Sequence, residues 1–345
     1  MRRKMIILTS AAAATGIAAA LLRRKAQPDL SGKVVLITGG SRGLGLALAR
    51  GFAARGASLA LCARSDEELQ SAKRDLEQFG AETLTLVCDV SHREQVEHMV
   101  DATLRHFGRL DVLVNNAGLI RVGPIHTMTI EDFENAMDVM FWGTVYSTLA
   151  VLPHMRSRGA GRIVNITSVG AKVSVPHLVP YSCAKFAAAA FSEGMRSELS
   201  GTGVKVVTIA PGLMRTGSYL NAVFKGAEEG EAVWFSAGAS IPGISISAKR
   251  AARQIIEATV SGSPERILST PANLLARFHG LFPGVTVDLL GLVNRLLPSG
   301  SREVERGAES PALKTVWARA LTTLGRRAAK QYLQPAAAAS GGPQR

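Results

Sequence analysis

Tyr181-Ser182-Cys183-Ala184-Lys185 puts a phenol and an ammonium at i and i+4, on one face of a helix. A neighbouring ammonium favours phenolate over phenol and draws a tyrosine down from its reference pKa of about 10. Tyr181 is therefore a candidate acid for carbonyl reduction, or base for alcohol oxidation. Upstream, Ser168 follows Asn165-Ile166-Thr167 at the end of an apolar run, where its hydroxyl can hold a substrate oxygen. A tyrosine and lysine at this spacing recur by chance, so the assignment depends on what else the chain carries.

A second group of residues suits a phosphate. Thr38-Gly39-Gly40-Ser41-Arg42-Gly43-Leu44-Gly45 follows the first apolar β-type run and leads into a helical pattern. A glycine-rich turn there offers backbone N–H groups and the positive end of a helix dipole to a pyrophosphate. The same turn could serve plain packing, a weaker reading directly after the first strand of a β-α-β series. The second run ends Leu61-Cys62-Ala63-Arg64-Ser65, with no acid before Asp66 to hold ribose hydroxyls. Arg64, and Arg42 within the loop, can bind a 2′-phosphate through charge-assisted hydrogen bonds, which favours NADP(H) over NAD(H). The alternative for Arg64 is a solvated residue at a helix cap.

The elements that must position these groups alternate regularly. Apolar runs at Val34–Thr38, Ser58–Cys62, Thr83–Cys88, Val112–Val114, Arg162–Ile166 and Val204–Ile209 are separated by helical patterns such as Leu44–Arg55, Asp66–Phe79 and Arg93–Phe107. Continuous apolar strands in β-α alternation predict an α/β fold: a doubly wound, Rossmann-type parallel sheet with helices on both faces. Residues 29–270 form this domain. A helix at Ala248–Val260 and a short strand at Arg266–Ser269 close it. Beyond Pro271 an apolar stretch from Leu274 to Leu297, interrupted by Pro283, gives way at Ser299 to a basic segment. Residues 271–330 read as a helical extension and 331–345 as a disordered tail.

With Asp89-Val90, Asn115-Asn116-Ala117-Gly118 and Pro211-Gly212 through Thr216, these motifs resemble the classical short-chain dehydrogenase/reductase family over roughly residues 31–270. The resemblance implies that Tyr181 is the acid/base, Ser168 the oxyanion partner, and Lys185 a ligand of the nicotinamide ribose as well. It implies further that Asp89 contacts adenine, Asn115 lies beside the cofactor and stabilises the central strand, and Thr216 holds the nicotinamide carboxamide. Val90, Ala117, Pro211 and Gly212 join the cofactor-binding set. One position departs from the family pattern: Met140-Phe141-Trp142-Gly143 has Met140 where the family usually has an asparagine supporting a proton-relay water. A thioether is only a weak acceptor and cannot replace the amide. Either other groups serve the relay, or the rate is reduced, or catalysis is lost.

Charge and composition exclude other classes. The 345 residues carry a formal net charge of +13, but residues 1–25 supply +6 and residues 302–345 supply +5, leaving +2 on the central domain. No basic-aromatic interleaving appears, so a nucleic-acid partner is not expected. Cys62, Cys88 and Cys183 show no metal or disulfide spacing and read as small buried hydrophobes of a reducing compartment. The seven histidines form no metal-ligand pattern, and no metal is expected. Glu228-Glu229-Gly230-Glu231 reads as a solvated loop. Trp234 and Phe235 read either as pocket lining or as core.

Met5 to Leu22 is an uncharged run of 18 residues flanked by Arg2-Arg3-Lys4 and Arg23-Arg24-Lys25. As a helix it spans roughly 27 Å, just short of a hydrocarbon core of about 30 Å. Residues 1–28 read as a hydrophobic anchor, spanning or interfacial, with a cleaved signal peptide or a soluble amphipathic extension as alternatives. Basic clusters on both flanks leave orientation undecided by charge alone. The resulting expectation is a membrane-associated NADP(H)-dependent oxidoreductase, its catalytic domain cytoplasmic, that interconverts a ketone or aldehyde and an alcohol on an apolar substrate. Family habit implies a homodimer or homotetramer. The competing class is a non-catalytic NADP(H)-binding sensor or scaffold at a membrane.

Overall fold

A computed structural model describes residues 28–226, 228–298 and 304–334. The predicted N-terminal hydrophobic helix lies outside the described residues. In chain order the central elements are β1 (Val34–Thr38), α1 (Gly43–Ala53), β2 (Ser58–Ala63), α2 (Asp66–Leu76), β3 (Thr83–Val87), α3 (Arg93–Phe107) and β4 (Val112–Asn115). After β5 (Arg121–Val122) and α4 (Ile130–Met137), a π-helical turn, Asp138–Trp142, leads into α5 (Gly143–Ser157). β6 (Gly161–Ile166), α6 (Val179–Glu198) and β7 (Val204–Pro211) follow.

The main sheet has the order β3-β2-β1-β4-β6-β7-β11, with β11 at Glu265–Leu268, and every pairing in it is parallel. This is the doubly wound arrangement that the β-α alternation predicts. Strand residues alternate between two cores, as a sheet covered on both faces requires. Val35, Ile37, Leu59 and Leu61 pack with Phe52 of α1, Leu69 of α2 and Ile255 of α8 (Ala248–Ser261). Val34, Leu36, Ala60 and Cys62 face the opposite way, onto Met99 of α3 and Met155 of α5. Cys62 and Cys88 are buried as expected, but Cys183 is exposed, because it faces outward on α6 beside the inward Ser182 and Ala184.

A smaller cluster lies around the segment after β7. β8 (Met214–Arg215), β9 (Val223–Lys225) and α7 (Glu228–Gly238) precede β10 (Ile246–Ser247) and α8. Phe235 of α7 is buried against Phe224, Val122 and Tyr219, so it belongs to this satellite core. Glu231 is not in a solvated loop. It is fully buried on α7, accepting from the Trp234 indole at 2.7 Å and paired with His177 Nδ1 at 2.6 Å. The apolar extension forms two helices, α9 (Thr270–Leu281) and α10 (Pro283–Asn294), divided at Pro283. After β12 (Val304–Arg306) come α11 (Val316–Leu321) and α12 (Thr323–Gln331). The expected tail is ordered at its start: Tyr332 is buried and Gln334 is hydrogen-bonded, while residues 335–345 lie outside the described ones.

Candidate active site

The phosphate loop is fixed from below by polar contacts with the segment after β4. Thr38 Oγ1 accepts from the backbone N–H groups of Asn116 and Ala117 at 3.0 and 3.1 Å. Asn116 Nδ2 donates to the carbonyls of Thr38 and Gly39, both at 3.0 Å. Gly39 and Gly43 have φ of +63° and +57°, a region that costs a side-chain-bearing residue. A Cβ on Gly45 would stand 2.0 Å from the Gly39 carbonyl oxygen, so only glycine lets the turn close. At the start of α1, Arg42 makes no side-chain cap and the first turn has no acid. A helix start at a glycine turn with neither a side-chain cap nor an acid in its first turn fits a dinucleotide diphosphate, although the first N–H, that of Gly43, is taken by the Tyr332 carbonyl at 2.9 Å.

The two cations assigned to a 2′-phosphate already have carboxylate neighbours. Arg42 Nη1 meets Glu68 Oε1 at 2.5 Å, and the other oxygen of Glu68 accepts from Ser41 Oγ at 3.0 Å. Arg64, largely exposed, is 4.0 Å from Asp89. Asp89 also accepts from the Ser91 hydroxyl and backbone N–H, at 2.7 and 3.0 Å. Ser65, beside Arg64, caps α2 by accepting from the Glu68 N–H. Sequence reasoning assigned no role to Glu68. The local spacing Ser65-Asp66-Glu67-Glu68 marks a helix start and carries no sign of the pairing with Ser41 and Arg42.

Tyr181, Lys185 and Ser168 converge at the carboxyl ends of β4, β6 and β7. Tyr181 and Lys185 lie on α6, and Ser168 ends the segment after β6. The Tyr181 phenol and the Ser168 hydroxyl are hydrogen-bonded to each other, and Ser168 Oγ also accepts from the Gly170 N–H at 3.0 Å. Lys185 is buried and donates to the Ile166 carbonyl at 2.8 Å, with Nζ 5.8 Å from the centre of the Tyr181 ring. Desolvation holds the phenol above its ordinary range, outweighing the opposing hydrogen bond from Ser168. The same desolvation lowers the lysine from its ordinary value to about 8. The expected depression of the tyrosine by the lysine does not emerge: burial penalises both charged forms, and the opposing influence on the phenol is Ser168.

Met140 is buried in the π-helical turn, a kind of irregularity that concentrates at functional sites. Its sulfur lies 3.6 Å, and Lys185 Nζ 3.8 Å, from the point where a Cβ on Gly118 would stand. The Met140 carbonyl is taken by the Thr144 hydroxyl at 2.9 Å.

Asn115 lies within a buried polar network. Strand register puts it opposite Asn165, and Asn165 opposite Thr208. Asn115 Nδ2 donates to Asn165 Oδ1 at 2.8 Å and to Thr148 Oγ1 at 3.2 Å. Its own carbonyl accepts from Ser147 at 2.6 Å. Asn165 Nδ2 donates to Ser192 at 3.0 Å, and Ser192 shares a 2.7 Å hydrogen bond with Thr208. Asn115 thus ties β4 to β6 and to α5. Pro211 ends β7, Gly212 follows it, and Thr216 is buried just after β8.

Residues 33–223 match the family described as short chain dehydrogenase. Dehydrogenase/reductase SDR family protein 7-like of Anopheles gambiae is 38% identical over 219 residues, covering 62% of this chain and 69% of that protein. 11-beta-hydroxysteroid dehydrogenase 1A of Arabidopsis thaliana is 39% identical over 209 residues, covering 59% of this chain and 58% of that protein. The chain thus spans less than two thirds of the Arabidopsis relative's length. A solved actinorhodin polyketide ketoreductase with NADPH matches with a TM-score of 0.62 and 28% identity, over 69% of this chain and 95% of that one.

Proposed function

The chain belongs to the short-chain dehydrogenase family of oxidoreductases, and on that premise we propose that it is an NADP(H)-dependent enzyme interconverting a ketone or aldehyde with an alcohol on an apolar substrate. The observation that carries this reading is the convergence of three groups: the Tyr181 phenol on the Ser168 hydroxyl, with Lys185 fixed behind them by the Ile166 carbonyl. When bound, the nicotinamide supplies or accepts the hydride. In the reducing direction Tyr181 gives its proton to the carbonyl oxygen, while Ser168 holds that oxygen through its own hydroxyl. Lys185 keeps a charge beside the phenol below about pH 8, where its ammonium persists. Thr38, Gly39, Ser41, Gly43, Leu44 and Gly45 would hold the diphosphate side of the cofactor, and Arg42 and Arg64 its 2′-phosphate.

The preference for NADP(H) rests on those two arginines and on the absence of an acid at the end of β2, and the similar actinorhodin polyketide ketoreductase was solved with NADPH. An apolar substrate is supported by the hydroxysteroid dehydrogenase named among the relatives. Membrane association rests on the uncharged run at Met5 to Leu22 and on the apolar surface of α9 and α10. No described helix is long and apolar enough to cross a membrane. Met140 favours one competing reading, a dinucleotide-binding protein without turnover.

The test is the initial rate of NADPH and NADH oxidation across carbonyls graded from small and polar to steroid- or acyl-like, with Tyr181→Phe alongside. The expected result is NADPH-preferring turnover that falls by roughly 10²–10⁴-fold in the variant while NADPH binding persists. A variant near the wild-type rate would refute the role of Tyr181, and a preference for NADH would refute the cofactor assignment. Tight NADPH binding with no turnover of any carbonyl would favour the non-catalytic reading.

A further inference from the structure

The family match ends at residue 223, and α12 lies far beyond it in sequence. Yet the end of α12 and the three residues after it lie on the phosphate loop. The Gly43 N–H donates to the Tyr332 carbonyl at 2.9 Å. The Tyr332 ring is buried, with the Arg50 guanidinium 5.3 Å from its centre. Ala329 lies so close to Gly217 that a Cβ there would stand 2.4 Å from the Ala329 Cβ. Gln334 spans the remaining gap: its amide nitrogen donates to the Thr216 carbonyl at 3.3 Å, and its oxygen accepts from Asn221 Nδ2. That nitrogen is also 2.7 Å from where a Cβ on Gly43 would stand.

One segment therefore touches both loops that the proposed reading gives to the cofactor: the glycine turn for the diphosphate and the Thr216 loop for the nicotinamide end. The Gln334 amide is held in one orientation because its oxygen and one of its hydrogens both have partners. Its second hydrogen is donated to no described residue. A donor fixed above a glycine turn is suited to an anionic oxygen, and hydrogen bonds to charged acceptors are the stronger kind.

We propose that residues 328–334 form a strap that completes the dinucleotide site, with Gln334 a further cofactor-binding residue whose remaining amide hydrogen is a donor to the diphosphate. The proposal rests on the reading that a dinucleotide occupies the glycine turn. In the full chain, Gln334→Ala and the near-isosteric Gln334→Glu are compared with wild type by equilibrium binding. The probes are NADPH and 2′-AMP, which has the 2′-phosphate and adenosine but no diphosphate.

NADPH binding is expected to weaken about tenfold in Gln334→Ala and further in Gln334→Glu, where a carboxylate replaces the donor, while 2′-AMP affinity stays within about twofold. Equal losses for both probes would make the strap a purely structural support and overturn the donor role. Unchanged or tighter NADPH binding would overturn the proposal in favour of a strap that competes with the diphosphate for the Gly43 N–H. Wild-type protein that binds neither probe would instead refute the dinucleotide reading beneath it. Melting of the variants without cofactor within a few degrees of wild type would separate any loss from misfolding.

Discussion

Tyr181 and Lys185 share one desolvated surrounding, and it moves them in opposite directions: the phenol upward, the lysine down to about 8. Both shifts favour the neutral form. The phenol therefore carries at neutral pH the proton that carbonyl reduction needs, while the burial that raises it makes it a weaker acid and the Ser168 hydrogen bond draws it back toward working pH. The cofactor preference turns on a different residue. Glu68 binds Ser41 and Arg42 together, so a negative charge stands at the place proposed for the 2′-phosphate. Glu68→Gln keeps the acceptor for Ser41, removes the repulsion and releases Arg42. The pair is partly exposed, which limits its strength, so the ratio of NADPH to NADH affinity is expected to rise about three- to tenfold at low salt and less at high salt. Titrating both dinucleotides at two ionic strengths checks this, and a ratio that does not change would remove Glu68 from the selectivity argument. Arg42, Arg64 and the catalytic spacing were legible because each motif is local. The carboxylates that answer the arginines were not, since they meet them only through the packing of α2 and β3 beside the loop.

Among the elements, β4, β6 and β7 tie the catalytic helix to the sheet through side chains that no local pattern reveals. Arg162–Ile166 reads as an apolar strand, and nothing local marks a role for Asn165 within it. In the fold it is fully buried and links Asn115 on one neighbouring strand to Ser192 on α6, the helix that carries Tyr181 and Lys185. Removing it would leave the Asn115 amide with Thr148 and the Ser192 hydroxyl with Thr208, each short of one hydrogen bond in a buried site. Asn165→Ala is therefore expected to lower stability by about 2–3 kcal/mol, the cost of unsatisfied buried polar groups plus a small cavity. Urea unfolding would measure it, and a midpoint equal to wild type would show that the network relaxes without cost. The alternation of strands and helices was legible because both faces of the sheet are covered and its central strands are near-continuous apolar runs. The strap was missed for the opposite reason: the average composition of residues 331–345 suggests disorder, whereas Tyr332 and Gln334 are ordered by distant partners on α1 and in the Thr216 loop.

At the level of the whole molecule, the apolar surface is unevenly distributed. On α9, α10 and the turns beside them, Leu274, Leu281, Phe282, Leu289 and Leu296 are exposed, from 48% for Leu289 to 85% for Leu296. Large contiguous apolar patches are rare on soluble monomers and mark protein or membrane contacts. Arg277 and Arg295 flank this surface, and Asp288 is the acid within it, a balance compatible with an anionic bilayer. A chain starting at Pro28 keeps every described residue and removes the uncharged N-terminal run, so any remaining membrane affinity belongs to the described surface. That chain is expected to float with anionic liposomes, and the pair Leu281→Glu and Leu296→Glu, both at exposed positions, is expected to abolish flotation with little effect on thermal stability. Each buried methylene contributes about 0.8 kcal/mol to such binding, so losing two leucines is sufficient to read. If the truncated chain stays in the dense fraction but sediments as a dimer that the same pair of substitutions dissociates, the surface joins two copies of the protein, and the membrane role returns to the N-terminal run alone.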